Sequence, residues 1–166
     1  AVEANGGNLT LNEPNGVRVD DLLVATIGYR GVGINFTLPA SWTQIQAQTS
    51  GDDIAGGIAN GVMAYIKRGA SAPSFAFTRT GGGIARGVVV AYRGVDTTTP
   101  IDVSASATAG AASTTVTAPT ITTTVTNAMI LFAGCGSDDG LSSAQTAATS
   151  PTTGWNERHD SLTSTG

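Results

Sequence analysis

Charged side chains are scarce in this sequence: Asp, Glu, Lys and Arg make up 12% of its 166 residues. Globular domains usually approach a quarter, and long exposed helices need charge to stay soluble. A helical bundle or coiled coil is therefore disfavoured. Lysine occurs once, at Lys67, and the arginines are scattered. With a net charge of −4 and a pI near 4.6, no basic stripe can neutralise phosphates, which argues against nucleic acid as a partner. The lone Cys135 cannot form an internal disulfide or, by itself, a thiolate zinc centre. No apolar run approaches the roughly 20 residues of a membrane-spanning helix, so membrane insertion is not expected. No leader pattern is visible at the N-terminus, which begins at Ala1 without Met.

What is present is threonine, serine and glycine. Thr and Ser together make up nearly a quarter of the chain, and there are 22 glycines. Short apolar runs of strand length are cut by Gly, Pro and Asn turns. They predict strands over 8–11, 17–28, 34–37, 42–48, 58–67, 74–79, 85–93, 101–107, 113–124, 128–134 and 154–159. In 62–67, Val62, Ala64 and Ile66 alternate with Met63, Tyr65 and Lys67. In 74–79, Phe75 and Phe77 alternate with Ser74, Ala76 and Thr78. Such alternation describes antiparallel strands half buried in a sandwich. Leu22-Leu23-Val24 and Val88-Val89-Val90 are apolar on both faces and suit central strands. The stretch 53–67 resists a helix, because Gly56, Gly57 and Gly61 each weaken a helix interior by about 1 kcal/mol.

One internal echo spans the chain. Asp21-Leu22-Leu23-Val24-Ala25 is followed by a loop and then Pro39-Ala40-Ser41-Trp42. Ala128-Met129-Ile130-Leu131-Phe132-Ala133 is followed by a loop and then Pro151-Thr152-Thr153-Gly154-Trp155. Two explanations stand side by side: shared strand-loop-strand grammar, or a duplicated sandwich half. Under the second, the sheet would lack its last strands at Gly166 unless other residues or a neighbouring subunit supply them. An open apolar edge has to be covered.

The same residues carry a resemblance. Asp20-Asp21-Leu22-Leu23-Val24, Pro39-Ala40-Ser41-Trp42-Thr43 and Ala91-Tyr92-Arg93-Gly94-Val95-Asp96 with Pro100-Ile101-Asp102 resemble a β-sandwich module of phage virion structural proteins and bacterial surface proteins. In that module the pattern reads G-D-L-L-V, P-x-G-W-T, A-Y-R-G-V-D and P-I-D. The likeness runs from about residue 17 to 160. Asp20 and Ser41 stand where the pattern has glycine. The resemblance implies an all-β fold: an antiparallel sandwich of jelly-roll type made of two related halves.

Candidate functional residues are few. Trp42, Trp155 and Tyr29 could stack on sugar rings, or each Trp could cap the end of the core with its N–H bonded to backbone. Asp52-Asp53 and Asp138-Asp139 are acidic pairs in Gly-rich loops. They are weak candidates for Ca²⁺, set against solvated turn residues, and they match no known calcium-loop spacing. Asp96 reads as a turn residue bonding nearby N–H groups. Cys135 and His159 have no third group to complete a nucleophile–base arrangement. No nucleophile elbow, P-loop or His-rich metal motif is present.

These readings converge on a non-enzymatic protein with no cofactor and no catalytic residues. The expected organisation is residues 1–16 as an N-terminal arm or first edge strand and 17–166 as a single sandwich domain. The resemblance implies a virion structural protein, a capsid decoration or a fibre or tail component, located on the virion. Its partners would be copies of itself, with a trimer the first expectation, and capsid or tail proteins. The alternative is a carbohydrate-binding or adhesin module on a phage or bacterial surface, with a cell-surface glycan as partner.

Overall fold

The computed structural model describes residues 2–30, 35–46, 49–50, 59–81, 83–107 and 118–134. Among them there is no helix. The strands are β1 (Val2–Asn5), β2 (Leu9–Thr10), β3 (Leu22–Arg30), β4 (Asn35–Thr37), β5 (Thr43–Gln44), β6 (Thr49–Ser50), β7 (Ala59–Lys67), β8 (Ala76–Thr80) and β9 (Ile84–Tyr92). They form two antiparallel sheets, consistent with a β-sandwich. The larger has the order β1-β9-β3-β7-β5, with β6 pairing farther along β7. The smaller has the order β2-β8-β4.

The pairings are nested. β1 pairs with β9, β2 with β8 and β3 with β7, as in one long hairpin. Wrapping that hairpin then brings β3 against β9 and β4 against β8. β3 becomes the central strand of the larger sheet. Its sequence suits the place, because Leu22, Leu23, Val24 and Ala25 are all at most 3% exposed. A strand buried on both faces needs such an unbroken apolar run. In β7 the alternation holds: Val62, Ala64 and Ile66 are buried while Lys67 is exposed. The core between the sheets is built on Leu9, Leu23, Ile27, Phe36, Trp42 and Phe77.

The segment before residue 17 is part of the sandwich. β1 edges the larger sheet, β2 edges the smaller one, and Leu9 and Leu11 are core residues at 0% and 3% exposure. Gly87 in β9 makes room for them. A Cβ there would lie 2.8 Å from Leu11 Cδ2 and 3.2 Å from Leu9 Cδ2.

Four expectations about strands are corrected. The strand expected from residue 17 begins at Leu22, because Arg18–Asp21 is a turn closed by Asp21 N–H donating to Arg18 O at 3.2 Å. Residues 101–107 and 118–124 form no strand, and neither do 128–134. Pairing, not propensity alone, makes a strand, and an unpaired β-prone run has no ladder to join. Residues 108–117 and the expected strand at 154–159 lie outside the described residues.

Candidate functional site

At one end of the sandwich the start of β3, the end of β7 and the residues after β9 meet. Asp21 is the buried charge there, its side chain only 3% exposed. Arg93 donates to both of its oxygens, Nε to Oδ1 at 2.9 Å and a terminal nitrogen to Oδ2 at 2.8 Å. The same guanidinium reaches Gly16 O at 3.1 Å. The Arg18 backbone N–H donates to Oδ2 at 2.8 Å. The planar guanidinium fork matches a carboxylate, which is why arginine fills such a place. The Arg93 hydrogen bonds, then the Arg18 N–H, hold the Asp21 carboxyl below its ordinary range, against the opposing effect of burial. The Asp21 hydrogen bond in turn raises Arg93.

An open groove of about 440 Å³ lies over this network. Arg18, Asp20, Asp21, Lys67, Arg93 and Thr97 are among its lining residues. Lys67 Nζ pairs with Asp20 at 2.9 Å, with both side chains largely exposed. A carboxylate kept ionised and saturated by donors is a poor general acid or base near neutral pH. The arrangement acts instead as a clamp on three strand ends. Among the described residues, no group of three or more His, Cys, Asp or Glu is placed to hold a metal ion.

A second bonded arginine, partly buried, lies at the other side of the fold. Arg79 in β8 donates to the carbonyls of Gly7, Ala4 and Gly83, the last at 2.6 Å. It ties the β1–β2 connection to the β8–β9 turn. Burial pushes its pKa down.

Two of the aromatic candidates, Trp42 and Tyr29, sit inside the sandwich. Trp42 is 7% exposed, and its indole N–H donates to Ser74 O at 2.8 Å. It meets Phe77 and Phe75 edge-on, with centroids 5.3 and 5.9 Å away. This is the core-capping arrangement. Tyr29 is 6% exposed and edge-on to Phe36 at 4.9 Å. A sugar platform needs an open ring face, which neither Trp42 nor Tyr29 presents here. Trp155, Cys135, His159 and the pairs Asp52-Asp53 and Asp138-Asp139 lie outside the described residues. Asp96 accepts from Thr98 N–H at 2.8 Å and Thr99 Oγ1 at 3.1 Å, the turn role its sequence suggests.

The two positions where the resemblance has glycine share one geometry. Asp20 and Ser41 have φ of 70° and 71°. Each is the third residue of a four-residue turn, closed at 3.2 Å by Asp21 N–H to Arg18 O and by Trp42 N–H to Pro39 O. A type II turn requires positive φ there, which glycine adopts without strain.

The pairing of Asp21 with Arg93 and the carbonyl bonds of Arg79 were not read from the sequence. The one available signal was scarcity: in a chain with so few charges, each one inside an apolar stretch needs a partner. Comparison with family models, curated proteins and solved structures finds no match to this chain.

Proposed function

We propose that this protein is a non-enzymatic structural component of a virion, a capsid decoration or a fibre or tail part, that works through contacts between subunits. The observation that carries this reading is how the described chemical groups are used. Asp21, Arg93, Arg79 and Trp42 all serve to hold strands together. Asp21 and Arg93 line the open groove, but each is engaged by the other. A polar coat rich in Thr and Ser suits close packing between copies, because little charge has to be desolvated. The resemblance at Asp20–Val24, Pro39–Thr43 and Ala91–Asp96 supports the same reading.

The finer fold belongs with it. The nested pairs β1·β9, β2·β8 and β3·β7, wrapped into two sheets, support a jelly roll. Such sandwiches serve widely as assembly blocks, and fold alone does not assign a role. Partners would be further copies in a homo-oligomer, with capsid or tail proteins around them. Many weak contacts then add through multivalency.

Density-gradient sedimentation of the native source tests this, with the chain quantified against the major particle protein. Co-migration at fixed copy number is expected, and the copy number separates decoration from fibre. Recovery only in the soluble fraction would overturn the virion role.

A further inference from the structure

Asparagine is followed by glycine at three places, Asn5-Gly6, Asn15-Gly16 and Asn60-Gly61. The pair is chemically labile, because glycine has no side chain to hinder attack by its backbone nitrogen on the asparagine side-chain carbonyl. The fold separates the three. Gly6 N–H donates to Gly83 O at 2.9 Å, directly after the β1–β9 ladder. Gly61 lies within β7, opposite Gly28 of β3 on one edge and Thr49 of β6 on the other. Asn15 and Gly16 are instead both exposed and form the middle of a turn. In a four-residue turn the outer residues share the hydrogen bond, which leaves the N–H of the third residue to solvent. Among the described residues no backbone acceptor takes the Gly16 N–H. Gly16 has a φ of 76°, and nothing lies within 4 Å of where its Cβ would stand, so there is room for a ring to close.

We propose that Asn15 is a modification site, converted to aspartate and isoaspartate by attack of the chain's own backbone. The Gly16 nitrogen bonds to Asn15 Cγ, the Cγ–Nδ2 bond breaks, and ammonia leaves with the Gly16 amide proton. Water then opens the five-membered imide. Opening at one carbonyl gives aspartate, and opening at the other gives isoaspartate, whose main chain is one carbon longer. One water is consumed and one ammonia released, with no change of oxidation state. The Gly16 carbonyl is bonded by Arg93 at 3.1 Å, so the longer link shifts one anchor of the Asp21 clamp. At Asn5 and Asn60 the attacking nitrogen belongs to a residue held by main-chain pairing, and attack there has to wait for local opening.

The test incubates the full chain in warm, mildly alkaline buffer. Peptides covering the three pairs are then weighed and assayed for isoaspartate. Asn15 is expected to convert at least about tenfold faster than Asn5 and Asn60. In guanidinium chloride the three rates should draw together, because the protection at Asn5 and Asn60 is lost with the fold. Asn15→Ser should remove the fast product. Conversion of Asn5 or Asn60 as fast as that of Asn15 in the folded chain overturns the proposal. So does an Asn15 that converts rapidly only once the chain is unfolded.

Discussion

Ser41 carries a conformational burden set by its turn, which requires positive φ at that position. A left-handed φ costs an ordinary L-residue roughly 1–2 kcal/mol, and glycine gives back part of that gain as chain entropy. Ser41→Gly is therefore expected to stabilise the fold by about 0.5–1 kcal/mol, read from urea midpoints. Asp20→Gly should be close to neutral, because Asp tolerates this region and also pairs with Lys67. Equal gains at both sites would refute the account. Gly87 is the opposite case. Its Cβ would press on Leu9 and Leu11, both without space to yield. Gly87→Ala should destabilise by about 1–3 kcal/mol, as overpacking does. Asp21 sets a pH dependence. Its folded pKa is lowered from 3.8, so its contribution is fully present above that value and is lost as pH falls through the folded pKa. Asp21→Asn should lower the thermal midpoint at pH 7, with the gap to the parent closing below about pH 4. A gap that stays constant down to acid pH would show that Asp21 acts through packing alone.

Among the elements, β1 is held by little apolar burial. It has four residues at an edge, with only Val2 and Ala4 packed against the core. Arg79 compensates by binding carbonyls on both sides of the β1–β2 connection. Arg79→Met keeps the stem and removes those bonds. Amide exchange in β1 and β2 is expected to quicken several-fold, while β3 and β7 stay protected. Uniform loss of protection would place Arg79 in the global core instead. β3 owes its place to the opposite property: it is paired on both edges and apolar on both faces.

Across the whole molecule, the nested pairing joins Val2 to Gly87 and Leu9 to Phe77. These contacts close long loops before they return any stabilisation, which slows folding. Refolding by stopped-flow dilution is expected in the range of milliseconds to seconds rather than microseconds. A microsecond phase carrying the full amplitude would contradict the nested pairing.

By itself, the sequence determined that the chain is all-β, because low charge excludes exposed helices and alternation places Val62, Ala64, Ile66 and Phe77 inward. It also determined the centrality of Leu22–Val24, since only a strand buried on both faces tolerates that run. Trp42 as a core cap was one of two open readings. Only the tertiary structure chose it, by bringing Ser74 O within 2.8 Å of the indole N–H. The clamp of Asp21 on Arg93 and the role of Arg79 were equally hidden, because each joins residues about seventy positions apart. The same holds for the strand expected over 101–107 and for the described part, 118–124, of the one expected over 113–124. Propensity is local and can be read along the chain, but a strand exists only when another strand, remote in sequence, supplies its hydrogen bonds.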